Sequence, residues 1–277
     1  MAKRVPVFQR VVVKIGASVL TDISGRPETR RFARLVDQLA ACLTQGREVI
    51  VVSSGAIACG MGALGLSRRP KEVAHLQACA AVGQSELMRR YSHAFAKHGL
   101  LVAQVLLTQD DLADRTRCRN AKQTLRALIA RRVVPIINEN DAVAVEEIAF
   151  GDNDRLAALV ACLLEAQLLV ILSDVDGVLE RGRVIERIDD LNHTHHALAL
   201  GTSRETTTPS KGAASGIRFA EASAGGSVAR TDSGMPSVAI DSGLTAPAGM
   251  ENPRFTRACR ALKSRISASR AAASASR

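Results

Sequence analysis

The stretch Arg132-Val-Val-Pro-Ile-Ile-Asn-Glu-Asn-Asp141, with its sequel Gly151-Asp-Asn-Asp154, decides the fold. Val133 to Ile137 is a short apolar run closed by polar residues, the pattern of a strand buried on both faces in a parallel sheet. Asn138, Glu139, Asn140 and Asp141 crowd its carboxyl end, and Gly151-Asp-Asn-Asp154 opens a helical pattern from Arg155 to Leu164. Ligands of open α/β sheets bind at the carboxyl ends of strands. A polar cluster at a strand end and another at a helix start therefore point to one small-molecule site. The competing reading makes Asp152 and Asn153 simple helix caps. The density of carboxamides and carboxylates at both places favours the site.

Outward from this stretch the chain alternates strand and helix. Val11 to Ile15 is an apolar strand interrupted by Lys14, with Gly16 and Ser18 in the turn that follows. A lysine inside a core strand is costly unless its ammonium meets an anion or snorkels to water at the sheet end, and both readings fit here. Glu28 to Gln45 has helical spacing and stops at Gly46; Glu48 to Ser53 is the next buried strand. Ser53-Ser-Gly-Ala56 then turns from strand into helix, where free N–H groups bind phosphate or carboxylate. Glu72 to His98 reads as helix, with small residues from Ala78 to Gly83 that mark close helix packing. Leu100 to Leu107 is a strand ending at Thr108, Asp110 and Asp111, and Asn120 to Arg132 is a helix leading into the central stretch. Leu168 to Leu172 is a further strand, followed by Ser173-Asp-Val-Asp-Gly177; Met235 to Ile240 is a candidate last strand. Strict alternation of this kind predicts a parallel sheet covered on both faces.

Composition narrows the function. With no Trp and one Tyr, recognition by aromatic stacking is disfavoured. No apolar run approaches a membrane span, and the first residues carry no signal-peptide pattern, so a cytoplasmic protein without membrane contact is expected. Cys42, Cys59, Cys79, Cys118, Cys162 and Cys259 show no zinc or CxxC spacing and are expected as free thiols. His193, His195 and His196 lack supporting ligands and are expected in a solvated loop. Of the net charge of +10, seven charges lie in Asn252–Arg277, which has no acidic residue. We divide the chain into a domain over residues 1–250 and a basic, poorly ordered Ser/Ala/Arg tail over 251–277. The tail is read as solvated, and no nucleic acid is expected as a partner.

Taken together, VVVKIGASVLT, VVSSGAIACG, LQACAAVGQSELM, VLLTQDDLADRTRCRNAKQTLRAL, VPIINENDAV, GDND and LLVILSDVDGV, in that order over residues 11 to 178, resemble the glutamate 5-kinases of the amino acid kinase superfamily. The resemblance implies a three-layer αβα sandwich around a mainly parallel sheet. It implies transfer of phosphate from ATP, with Mg2+, to the side-chain carboxylate of L-glutamate, the first step of proline synthesis. By motif match Lys14, Asp154 and Asn138 carry the chemistry. Ser54, Gly55, Asp141 and Asn153 hold glutamate, while Lys14, Gly16, Ser173, Asp174, Gly216 and Arg218 face ATP. No protein side chain is assigned to a metal. A homo-oligomer and inhibition by proline are also implied. The residue types suit the reaction on their own account. A side-chain carboxylate with a free pKa of about 4.3 is already an anion at neutral pH and needs no general base. What remains is positioning and charge neutralisation.

One family segment, Gly-Thr-Gly-Gly-Met-x-Thr-Lys, is not matched in register. Ala213 to Ala220 is the nearest counterpart, with Gly216-Ile217 for Gly-Met, Phe219 for Thr and Ala220 where the lysine belongs; Lys211 and Arg218 are cations out of register. The alternative function is therefore a catalytically impaired relative that binds glutamate or proline, or serves as a regulatory subunit.

Overall fold

The computed structural model describes residues 8–21, 28–144 and 153–173, with the strand backbones of 179–180, 183–184 and 237–241. Fifteen elements follow in order: β1 (Arg10–Ile15), α1 (Ala17–Leu20), α2 (Thr29–Thr44), β2 (Glu48–Ser53), α3 (Ala56–Ala63), α4 (Val73–Ala96), β3 (Leu101–Leu107), α5 (Gln109–Ala113), α6 (Arg115–Ala130), β4 (Val133–Glu139), α7 (Asn153–Leu164), β5 (Leu168–Leu172), β6 (Leu179–Glu180), β7 (Arg183–Val184) and β8 (Ser237–Asp241).

Six strands form one sheet in the order β3-β4-β2-β1-β5-β8. The first five run parallel, and β8 pairs antiparallel with β5, Leu168 opposite Asp241. The apolar runs anticipated this, because strands with Val and Ile at successive positions can only lie between two covering layers. Successive side chains on β1 and β2 point to opposite faces. Val11, Val13, Ile15, Val49 and Val51 pack with α2, α3 and α4 through Phe32, Leu39, Cys59, Leu87 and Phe95. Val12, Ile50 and Val52 pack with α5, α6 and α7 through Leu112, Leu125, Leu156 and Val160. The result is the expected three layers, with a core on each side of the sheet.

Most sequence boundaries are shifted by a residue or two; two differences have a physical cause. Helix α6 starts at Arg115 rather than near Asn120, because the Asp114 carboxylate accepts from the N–H groups of Thr116 and Arg117 at 3.0 and 2.8 Å. The short α5 (Gln109–Ala113) stands where the sequence pattern shows only the polar end of β3. Thr108 and Asp111 close a capping box there, each side chain accepting from the other residue's backbone N–H. Cys42, Cys59, Cys79 and Cys118 are free thiols, as expected, whereas Cys162 is disulfide-bonded, against that expectation.

Helix α3 lies unusually close to α4. A Cβ on Gly60 would stand 1.8 Å from the Cys79 carbonyl oxygen, and one on Gly83 would stand 1.7 Å from that of Ala56. Only hydrogen fits at either position, which is the close packing expected from the small residues of Ala78–Gly83. The contact fixes the start of α3, and with it the turn that leaves β2.

Candidate functional site

All strands from β1 to β5 are parallel, so their carboxyl ends open on one edge of the sheet. The chain runs from β1 outward to β2 and later returns to β5 on the other flank of β1. Such a reversal leaves a crevice at the strand ends. The residues singled out in the sequence gather there.

Lys14 shares its side-chain direction with Val12, toward the layer that contains α7. Its ammonium lies 2.6 Å from Asp154 Oδ1, in the first turn of α7. The lysine side chain is 10% exposed and the aspartate 52%. The sequence left Lys14 between an anion partner and a snorkel to water; the structure selects the anion. The carboxylate itself reaches solvent, so the pair closes the inner wall of the crevice and leaves Asp154 facing the opening.

The second group is a carboxamide network. Asn153 Nδ2 donates to Ser54 Oγ at 2.8 Å and to Asn138 Oδ1 at 3.2 Å. It also approaches the Ser53 carbonyl oxygen at 3.5 Å. Asn138 Oδ1 accepts the Glu139 N–H at 2.9 Å as well, which orients the amide. Both hydrogens of Asn153 are thus committed, and its Oδ1 is buried with no hydrogen-bond partner among the described residues. An orphan acceptor in a polar crevice fits a donor from outside the protein, such as an ammonium group. Ser54, having accepted from Asn153, keeps its own proton for an incoming oxygen. Asn153 is therefore more than a helix cap.

Backbone geometry completes the turn. Gly55 has φ +96°, in the left-handed region, and its Cβ position lies 3.2 Å from Leu20 Cδ1. It starts α3 without a side-chain cap, so the first N–H groups of that helix have no intrahelical partner. Gly16 donates its N–H to the Leu172 carbonyl at 3.0 Å, and a Cβ there would stand 3.1 Å from that oxygen. Its bare backbone runs beneath the Lys14 ammonium.

Lys14, Ser54, Asn138, Asn153 and Asp154 are thus brought together, with Gly16 and Gly55 shaping their turns. Asp141 lies in the half-exposed turn after β4, where Asn140 accepts from Val143 and Ala144. Ser173 is half-buried at the end of β5. Asp174, Gly216, Arg218, Lys211, Ala220, the histidines from His193 to His196 and the tail over 251–277 lie outside the described residues.

Sequence reasoning missed Tyr91 of α4. It is fully buried, and its hydroxyl lies 2.9 Å from Ser53 Oγ. Two signals were available: it is the single Tyr of the chain, and it stands in the apolar stripe Leu87-Tyr91-Phe95. A phenol buried in such a stripe needs a polar partner.

Residues 9–217 match the sequence profile of the amino acid kinase family. The chain belongs to the amino acid kinase family. Among curated relatives it is 58% identical over 178 residues to a glutamate 5-kinase of Salinispora arenicola, covering 64% of this chain and 48% of the relative. It is 54% identical over 170 residues to one of Pelobacter propionicus and 55% over 170 residues to one of Streptomyces coelicolor, each match covering 61% of this chain and 46% of the relative. The chain therefore spans about half the length of the curated relatives it matches. Among the described residues no helix is long and apolar enough to cross a membrane.

Proposed function

We propose that this amino acid kinase transfers the γ-phosphoryl group of ATP to the side-chain carboxylate of L-glutamate, giving L-glutamyl 5-phosphate and ADP, the first step of proline synthesis. The observation that carries the reading is the buried Lys14–Asp154 pair set beside the Asn153–Ser54–Asn138 network. The names of the matched relatives support the same substrate pair.

In this reading glutamate lies over the Ser54–Gly55 turn. The Ser54 proton and the α3 N–H groups take a carboxylate, and the α-ammonium goes to Asn153 Oδ1 and Asp141. The side-chain carboxylate oxygen attacks the γ-phosphorus; a new O–P bond forms and the bond to the β–γ bridging oxygen breaks, its electrons leaving with ADP. Lys14 balances the charge on the transferred group, while Asp154 holds the ammonium in place. Gly16 lets the phosphates approach the β1 backbone, and Ser173, Asp174, Gly216 and Arg218 are assigned to the nucleotide. Mg2+ is held in such reactions chiefly by the phosphates with one or two carboxylates, and it neutralises phosphate charge. Asp154, a half-exposed carboxylate beside Lys14, would be the side chain to hold it. No group of three potential metal-holding side chains occurs among the described residues.

ADP release with ATP, Mg2+ and glutamate tests the proposal, with wild type and Lys14→Ala side by side. The wild type is expected to turn over only with glutamate, and the variant to lose at least about a hundredfold in kcat, the scale of one preorganised charge partner. Equal turnover in the two proteins rejects the role of Lys14; none in the wild type rejects the activity. The reading also includes a homo-oligomer in the cytoplasm, rejected if gel filtration returns a monomer. It includes competition by proline for the glutamate site, rejected if excess proline leaves turnover unchanged. The separation of a basic tail at 251–277 belongs to the same proposal, and a tail cut that abolishes folding would remove it.

A further inference from the structure

We propose that Tyr91 is a positioning residue for the acceptor site: its buried hydroxyl holds Ser53, and through Ser53 the Ser54–Gly55 turn, in the shape that meets the amino-acid substrate. The inference rests on the glutamate site proposed above. Its warrant is a directed chain of hydrogen bonds. The Ser53 hydroxyl donates to the Ser54 carbonyl oxygen at 3.0 Å. Its proton is thereby committed, so at the 2.9 Å contact the Tyr91 phenol donates and Ser53 accepts. The Ser54 N–H in turn donates to the Ile15 carbonyl at 2.9 Å, and Ser54 Oγ receives Asn153. Tyr91 thus fixes the peptide that carries Ser54 from the side away from the crevice.

The surroundings allow the hydroxyl no other place. The ring meets Phe32 edge-on at 4.9 Å and stacks near Phe95 at 6.4 Å. Burial pushes the phenol well above its ordinary pKa, so it remains a proton donor throughout the working pH range. Helix α4 also sets the start of α3 through the Gly83–Ala56 contact. The same helix therefore holds the turn from both sides, by a hydrogen bond at Ser53 and by close packing at Ala56.

The test compares wild type, Tyr91→Phe, Ser53→Ala and the double variant. Tyr91→Phe keeps the ring and removes the one donor. The expected result is a rise of about tenfold in KM for glutamate, with KM for ATP unchanged and kcat within about threefold, because one substrate's contacts are misplaced. Ser53→Ala is expected to match it, and the double variant to be no worse than either single one, as for two members of one bond. A glutamate KM that stays at the wild-type value, or that moves together with the ATP KM, overturns the proposal. Amide hydrogen exchange at Ser54 is read in the same proteins without substrate. It is expected to quicken about tenfold in Tyr91→Phe while the β1 amides keep their rates; equal rates at Ser54 overturn the proposal. A wild type that neither turns over nor binds glutamate rejects the glutamate reading, and the exchange measurement then decides the role of Tyr91 by itself.

Discussion

Gly55 shows how a single residue couples stability to the site. At φ +96° it holds a conformation that costs an L-residue about 1–2 kcal/mol. The added methyl of Gly55→Ala would also press on Leu20 Cδ1 at 3.2 Å, a flexible end that can give way. The substitution is expected to lower stability by about 1–2 kcal/mol, seen as a fall of roughly 2–8 °C in Tm. Because Ser54 is its neighbour, KM for glutamate should rise in the same protein; an unchanged melting curve would contradict the strain. At this scale the legible residues were those whose chemistry clashes with their sequence surroundings. Lys14 in an apolar strand and Asn153 beside Asp154 are of that kind. Ser53 was not, because a serine at a strand end is ordinary; Tyr91 signalled that its phenol needs a partner but not which one, until the fold set it against Ser53.

At the scale of elements, the α3–α4 contact makes the sharpest prediction. In Gly83→Ala the new Cβ would meet the Ala56 carbonyl oxygen and carbon at 1.7 and 2.7 Å, and a backbone cannot swing aside as a side chain can. The helices must separate, at a cost of about 3 kcal/mol or more. Thermal or denaturant unfolding reads that loss, and a variant as stable as wild type would refute the packing. The small residues were visible in the sequence; their partners were not, since the spacing of Gly83 names no opposite face. The start of α6 was hidden for another reason. Its first residues, Arg115 to Arg117, face water and carry no apolar period, so only the Asp114 cap marks it. The apolar strands were the most legible elements, because burial on both faces leaves the strongest pattern a sequence can carry. The antiparallel β8 lay beyond that signal, since an apolar run specifies burial and not direction.

At the scale of the whole molecule, Glu165 ties the end of α7 to α6 across one face of the sheet. Lys122 Nζ lies 2.6 Å and Arg126 Nη2 3.5 Å from Glu165 Oε1. The Lys122 hydrogen bond, against the effect of burial and with the charges of Lys122, Arg126 and Arg10 adding, holds the carboxyl below its ordinary range. A carboxyl depressed in the folded state stabilises while it is ionised. Its contribution is complete above the unfolded pKa of about 4.3 and is lost as pH falls through the lower folded value. The side chain is 62% exposed, so water screens most of the attraction. Glu165→Gln is expected to be less stable than wild type by about 0.5 kcal/mol at neutral pH, with the difference vanishing once pH has fallen below the depressed folded pKa. Denaturant titrations at neutral and at acid pH check this, and a difference independent of pH would refute it. The order of the strands has one more consequence, for the time course of synthesis. β1 is made before β5, so one of its flanks waits for β5 and Lys14 waits for Asp154. Ser53 and Asn153 are likewise 100 residues apart. A growing chain that ends before α7 has an ammonium without its counter-charge and a central strand open on one edge, a state costly to bury. The middle of the sheet and the crevice at its strand ends therefore close in the same late event.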